Sequence, residues 1–125
     1  MQILVDTSVW VDYFRSGKKS EKLDFLIDEN LLVINDVILA ELIPFLIVRN
    51  EKKVIKLLRQ IRNTNMDICW QEIIELQTQC ISSGLNGIGI PDLLIAQNSK
   101  QHKTKIYSLD KHFKLMEQLI DLELY

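Results

Sequence analysis

The sequence predicts an α/β protein whose mainly parallel sheet is covered by helices on both faces. Short apolar runs at 2–6, 31–34 and 105–109 carry this prediction, since each is rich in branched residues and too short for a helix. Segments with helical periodicity separate the runs. Strands that are apolar on both faces and alternate with helices form parallel sheets. Such sheets bind ligands beyond the carboxyl ends of their strands, so the residues that follow each strand are candidates for a site.

The first strand, 2–6, is followed directly by a predicted helix. Thr7 or Ser8 can cap this helix and Gly17 can end it. A second helix is expected over 21–30, because its leucine and isoleucine residues recur on one side.

The second strand, 31–34, ends at Asn35 and Asp36, which are favourable residues for beginning a helix. This third helix carries Glu41 in its second turn. Pro44 removes one backbone hydrogen bond from it, so we expect a kink or an early end there.

Two further helices are predicted in the middle of the chain. Residues 51–62 have the pattern of an amphipathic helix, with an apolar face formed by Val54, Leu57, Leu58 and Ile61. A short strand is expected at 66–69 and a helix at 70–83, with Gly84 as its C-cap. The residues of that helix predicted to face inward are Ile73, Leu76, Cys80 and Ile81.

The last part of the chain begins with a glycine-rich loop at 85–90. Pro91 suits the first position of a helix that would run to about His102. The remaining predicted elements are the strand at 105–109, a helix at 111–120 and an edge strand at 122–125.

Length and composition indicate one globular domain over residues 1–125, of which 47% are hydrophobic. Cys69 and Cys80 are expected to be reduced thiols, and the N-terminus lacks the basic region of a secretory signal. The most apolar stretch, 31–48, contains too many polar groups for a membrane span. We therefore expect a cytoplasmic protein.

The charge distribution is uneven. A net charge of −2 argues against a protein that coats nucleic acid by bulk charge. Residues 49–63, however, contain six basic residues and one acid. Four of the basic residues recur every three or four positions and would share one helical face: Arg49, Lys53, Lys56 and Arg59. This basic stripe could follow an RNA backbone, although an ordinary solvated helix face has the same pattern.

Four carboxylates are predicted to meet at one edge of the sheet. Asp6 is the last residue of the first predicted strand, and Asp110 lies at the end of the strand predicted at 105–109. Asp92 lies in the first turn of a helix, and Glu41 lies one turn into another. Each acid alone has an ordinary explanation as a cap, a turn residue or a surface residue. Four converging acids repel one another unless a cation lies between them. An all-oxygen ligand set favours Mg²⁺ or Mn²⁺ over zinc.

Four segments resemble, in order, the motifs of PIN domains, and in particular of the VapC-type toxins of VapBC toxin–antitoxin systems. The segments are LVDTSVW (4–10), AEL (40–42), PDLLIA (91–96) and SLDKHF (108–113). The resemblance implies a three-layer α/β/α sandwich and a metal-dependent ribonuclease that uses Mg²⁺ or Mn²⁺. It also implies a homodimer and a cognate antitoxin that blocks the site.

The roles we expect within this site follow from metal chemistry. Asp6 and Asp92 are expected to bind the metal directly, whereas Glu41 and Asp110 act through water or activate it. Thr7 or Ser8 could contact Asp6 or the phosphate, although capping is the simpler role for either. Gln97 and Asn98, which follow the third motif, offer no further acid for a second metal.

Other interpretations stay open at this point. A phosphotransferase with Asp6 as nucleophile usually needs a second acid two residues later, where this chain has Ser8. A catalytically silent binding module of the same fold would be expected to lack one of the acids. Trp10, Tyr13 and Phe14 could form a dimer or antitoxin surface, or pack in the core.

Overall fold

A four-stranded parallel sheet forms the centre of the computed structural model, which describes residues 1–125. The strands lie in the order β3-β2-β1-β4, and all three pairings are parallel. Their bounds are β1 (Ile3–Val5), β2 (Leu32–Ile34), β3 (Arg62–Asn63) and β4 (Lys105–Tyr107). The predicted parallel sheet is therefore confirmed.

Seven helices cover the sheet and complete a three-layer α/β/α sandwich. They are α1 (Thr7–Arg15), α2 (Lys22–Asp28), α3 (Asp36–Val48), α4 (Lys52–Gln60), α5 (Trp70–Ser82), α6 (Ile90–His102) and α7 (Lys111–Met116). A single cluster of 26 buried apolar residues fills the space between the layers. None of the seven helices is both long and apolar enough to cross a lipid bilayer.

Strand β1 is one of the two inner strands and sets the position of the site. All three of its residues are completely buried, as a strand covered on both faces requires. Val5 pairs with Tyr107, so β1 and β4 end at the same level. The residues after them, Asp6 and Ser108, consequently emerge side by side at the carboxyl edge of the sheet.

Helix α3 differs from the prediction, because it continues through Pro44 to Val48. A proline at this position removes one backbone hydrogen bond from the helix. Leu42, Ile43 and Leu46, on both sides of the proline, are buried in the structure. Their packing against the rest of the protein therefore keeps the helix continuous across the missing bond.

The strand predicted at 66–69 is wrong. The edge strand is the polar pair Arg62–Asn63, which pairs with Val33 and Ile34. Residues 64–69 have no regular structure and are held by side chains of helix α6. The Gln97 amide accepts from the Cys69 N–H and donates to the Cys69 carbonyl. Gln101 donates to the Asp67 carbonyl. At the other edge, the expected strand at 122–125 is a single parallel bridge between Ile106 and Leu124.

Several predicted faces and boundaries also change. Leu57 and Ile81 are 63% and 61% exposed, although both were predicted to face inward. Strand β4 ends at Tyr107, so Asp110 is not its last residue but the N-cap of α7. Asp6, rather than Thr7 or Ser8, caps α1.

Candidate active site

Asp6 lies at the centre of the carboxyl edge and is 95% buried, with only 5% of its surface exposed. Its Oδ2 accepts hydrogen bonds from Ser8 Oγ at 2.8 Å and Ser108 Oγ at 2.9 Å. The backbone N–H of Ser8 also donates to Oδ2, at 3.4 Å. These donors hold the carboxylate in one orientation and leave Oδ1 free to face a ligand.

The two serines join the ends of β1 and β4. Ser108 Oγ accepts from the Asp110 N–H at 2.9 Å, and Ser8 Oγ accepts from the Leu109 N–H at 3.0 Å. Ser108 was not singled out from the sequence, although it lies in the SLDKHF segment. Ser8 was expected as a cap, but its hydroxyl contacts the Asp6 carboxylate, which was its alternative role.

Glu41 approaches the site from α3. Thr7 Oγ1 donates a 3.0 Å hydrogen bond to Glu41 Oε1, which ties α3 to the start of α1. Partial burial of the carboxyl group raises the pKa of Glu41, although the residue as a whole is exposed. The Thr7 hydrogen bond opposes this shift, and the charges of Asp6 and Asp92 add to it. Glu41 therefore interacts electrostatically with two of the other predicted acids, Asp6 and Asp92.

Asp92 and Asp110 meet at the side chain of His112. The Nδ1 atom of His112 lies 3.1 Å from Asp92 Oδ2 and 3.4 Å from Asp110 Oδ1. Burial raises the pKa of Asp92, and the charge of Asp110 raises it further, whereas the His112 hydrogen bond lowers it. No role was assigned to His112 from the sequence; its only signal was its position two residues after Asp110.

The residues at this edge fit a divalent cation. One ligand atom each of Asp92, Asp110 and His112 lie within 4.8 Å of one another. Burial is the main cause of the raised pKa values of Glu41 and Asp92, and the charges of neighbouring acids add to it, so a bound cation would stabilise both ionised carboxylates. Carboxylate oxygens suit Mg²⁺ and Mn²⁺, and an imidazole is compatible with Mn²⁺.

Asn98 has a structural role, because its side chain hydrogen-bonds to other residues of the protein and not to the acids. It is buried, and its Oδ1 accepts from Asn35 Nδ2 at 3.0 Å and from Thr64 Oγ1 at 2.8 Å. Its Nδ2 donates to the carbonyls of Thr64 and Asn65. Because Asn35 caps α3, this network fixes the beginning of the helix that carries Glu41.

The predicted basic stripe is divided between two helices. Arg49 is the C-cap of α3, and its guanidinium lies 4.3 Å from the centre of the Phe45 ring. The other three residues, Lys53, Lys56 and Arg59, are exposed on α4. The four residues therefore do not form one helical face, and only the α4 part keeps the predicted spacing.

An apolar groove of about 660 Å³ lies between α1, α2 and α4. Trp10, Tyr13 and Phe14 line its α1 side and pack against one another, while Leu57 lines its α4 side. Trp10 is also part of the buried core, with 4% of its surface exposed. Leu57 is exposed because it lines this open groove.

The raised pKa values predict how stability depends on pH without metal. Between the ordinary pKa, near 4 for a carboxyl group, and the raised value, the folded protein binds more protons than the unfolded chain. Unfolding free energy should therefore fall as pH rises through that window. Urea unfolding in EDTA should show this fall, and Asp92→Asn should reduce it. A parent and a variant with identical pH profiles would contradict the assignment. The Glu41 contribution should be smaller, since Glu41 is exposed to solvent.

Comparisons with known proteins agree with this architecture. The sequence model of the PIN domain matches residues 3–119. No curated protein matches the chain in sequence. Among solved structures, the chain resembles VapBC2 from Rickettsia felis bound to a promoter DNA fragment, with a TM-score of 0.78, 23% identity and coverage of 100% of this chain and 98% of that one.

Two further structures show the same likeness. DNA-bound VapBC from Salmonella typhimurium gives a TM-score of 0.77 at 14% identity, covering 100% of this chain and 97% of that one. VapBC-1 from nontypeable Haemophilus influenzae gives 0.74 at 19% identity, with coverage of 100% and 97%. At these identities the likeness concerns the fold.

Proposed function

This chain belongs to the PIN domain family, and we propose that it is a metal-dependent endoribonuclease acting as the toxin of a toxin–antitoxin pair. The observation that carries the proposal is that Asp92, from α6, and Asp110, the N-cap of α7, come together with His112. Glu41 accepts a hydrogen bond from Thr7, which follows Asp6 in the chain, and Glu41 also interacts electrostatically with Asp6. Asp92 and Asp110 both contact His112. We propose that residues 1–125 act as one domain.

The proposed reaction is hydrolysis of an RNA phosphodiester bond. A divalent cation, Mg²⁺ or Mn²⁺, would neutralise charge on the phosphoryl oxygens and promote ionisation of water. We expect Asp6, through its free Oδ1, and Asp92 to bind this ion directly. Asp110 was expected to act through water, but its short distance from Asp92 favours direct binding. Ser8 and Ser108 keep Asp6 in position.

Glu41 is the residue we propose as the acceptor of a proton from the attacking water. A raised pKa makes its carboxylate a stronger base near neutral pH. Thr7 occupies Oε1, which leaves Oε2 available for the water. Asp6 is not proposed as a covalent nucleophile, since two serine hydroxyls occupy its Oδ2 and position 8 offers no second acid.

The proposed protein partner is a cognate antitoxin. The structures that this chain resembles include complexes named VapBC. The apolar groove between α1, α2 and α4 offers a surface for such a partner, because nine of its eleven lining residues are hydrophobic. The groove contains Trp10, Tyr13 and Phe14, the residues that the sequence suggested for a dimer or antitoxin surface.

We also propose a cytoplasmic homodimer. Trp70, Ile74 and Ile81 are each more than half exposed, and their spacing places them on one face of α5. An apolar stripe of this kind suits contact with a second copy. Light scattering should give twice the mass of the 14.6 kDa chain, and a monomer at micromolar concentration would contradict the dimer.

The proposed function is tested by incubating the purified protein with a defined RNA pool and Mg²⁺ or Mn²⁺. Internal cleavage is expected, and excess EDTA should stop it. Addition of the proposed cognate antitoxin should also stop it, by forming a stable complex. Cleavage that persists after thorough chelation would exclude the metal mechanism. Absence of cleavage under every metal condition would favour a silent binding module.

The basic residues of α4 provide a prediction about RNA binding. If Lys53 and Lys56 contact phosphates, replacing both with Gln should weaken binding to all RNA sequences without changing the rate of the saturated enzyme. Each lost contact should lower the slope of log affinity against log salt by about 0.7. A salt titration measures this slope. The double variant Lys18→Gln, Lys19→Gln is the control, because it removes the same charge elsewhere on the surface. Equal salt slopes for the two double variants would show that α4 is an ordinary solvated helix.

A further inference from the structure

We propose that His112 binds the divalent ion directly through Nδ1, and that this nitrogen makes the site prefer Mn²⁺ over Mg²⁺. The inference rests on the metal site of the proposed function and extends it to a residue outside the four acids. It is based on the position of the imidazole, on the donors around it and on the known ligand preferences of the two ions.

The Nδ1 atom of His112 lies between two carboxylates that come from different elements. Asp92 belongs to the first turn of α6, whereas Asp110 is the N-cap of α7. Nδ1 is 3.1 Å from one carboxylate oxygen and 3.4 Å from the other. A single ring N–H cannot be directed at both oxygens: Nδ1 is within hydrogen-bond distance of Asp92 Oδ2, whereas Asp110 Oδ1 accepts from the backbone N–H of His112.

A divalent ion satisfies all three groups at once. The neutral imidazole can carry its proton on Nε2, which frees the Nδ1 lone pair for the ion. His112 Nδ1, Asp92 and Asp110 would then hold the ion together. These three ligand atoms already lie within 4.8 Å of one another, so only small side-chain movements are needed to surround one ion.

The surroundings of His112 hold the ring in this place. The backbone N–H of His112 donates to Asp110 Oδ1 at 2.9 Å. The neighbouring residue, Phe113, is almost completely buried. On the other side of the ring, Gly87 lies near Nε2. A Cβ atom added to this glycine would be 4.0 Å from His112 Nε2. The backbone of His112 is therefore held by Asp110, and the glycine-rich loop lies beside the ring. Nδ1 lies on the side of the ring that contacts Asp92 and Asp110.

The nitrogen ligand determines which ion is preferred. Mg²⁺ strongly favours oxygen ligands, whereas imidazole is a normal ligand for first-row transition metals. Replacing His112 with Gln should therefore weaken Mn²⁺ binding by about tenfold or more, in the range known for changes around metal ligands. Mg²⁺ binding should change by no more than about twofold, because Mg²⁺ gains little from the nitrogen.

Pulsed electron paramagnetic resonance of the Mn²⁺-loaded full chain tests the inference directly. Coordinated imidazole produces a ¹⁴N modulation, and the chain has only two histidines, so its source can be assigned. The modulation is expected in the parent protein and in the matched control His102→Gln, and it should be lost in His112→Gln. Calorimetric titrations with Mn²⁺ and Mg²⁺ give the two affinities in parallel.

Each outcome decides the inference. Bound Mn²⁺ without ¹⁴N modulation in the parent protein would overturn the role of His112 and leave the carboxylate site of the proposed function in place. Modulation that persists in His112→Gln would overturn it in the same way. Failure of the parent protein to bind either ion would overturn both this inference and the metal-dependent function.

Discussion

Replacing Asp92 with Asn is expected to reduce RNA cleavage by at least about a hundredfold, which corresponds to roughly 3 kcal/mol or more of lost transition-state stabilisation. Asp92 contacts His112, couples electrostatically to Glu41 and lies close to Asp110. An amide keeps its size and removes the charge that holds the ion. Single-turnover cleavage at saturating protein measures the effect, and Asp6→Asn should behave alike.

The fold should survive this substitution. Burial and the neighbouring Asp110 raise the pKa of Asp92, so the ionised carboxylate is disfavoured in the metal-free protein. Asp92→Asn should therefore unfold at the same urea concentration as the parent in EDTA, or at a higher one. Asp67→Asn is a matched control, since Asp67 is exposed and its carboxylate makes no hydrogen bond. Full activity of Asp92→Asn with metal present would remove Asp92 from the mechanism.

Addition of divalent metal is expected to raise the melting temperature. An ion that binds only the folded protein contributes about 2.7 kcal/mol when its concentration is 100 times Kd. For a domain of this size, each kcal/mol raises the melting temperature by about 3–6 °C. Mg²⁺ and Mn²⁺ should both produce a shift, and EDTA should reverse it. Differential scanning calorimetry over a metal concentration series measures the shift.

The same experiment on Asp92→Asn is the control for the location of the ion. Its metal-free melting temperature should match or exceed that of the parent, whereas the metal-induced shift should be largely lost. A shift of equal size in both proteins would place the ion away from the four acids. No shift in the parent at millimolar metal would contradict a metal site formed by the folded chain.

Asp6 illustrates how much of the site could be predicted. The apolar residues before it identify a buried strand, and the residue after such a strand lies at the carboxyl edge of a parallel sheet. Asp92 could be placed by similar local reasoning, because Pro91 and the glycine-rich loop indicate the start of a helix. In the structure Asp92 lies in the first turn of α6, as predicted, whereas Asp6 is not the last residue of β1 but the N-cap of α1 that follows it.

The contacts that organise these acids could not be predicted in the same way. The Ser108–Asp6 hydrogen bond joins residues 102 positions apart, and the His112–Asp92 contact joins residues 20 apart. Neither contact leaves a periodic pattern in the sequence. Both depend on the register of β1 with β4 and on the packing of α6 against α7, which exist only in the folded protein.

The sequence by itself determined the alternation of strands and helices and the parallel sheet, because hydrophobic periodicity and helix starts are local properties of a chain. The tertiary structure decided which surfaces are buried. Leu57 is exposed because it borders a groove, α3 passes through Pro44 because buried neighbours hold it, and Arg62–Asn63 becomes a strand because β2 offers a partner. Burial and strand pairing depend on what lies opposite a residue in space, and that is not a property of its neighbours in sequence.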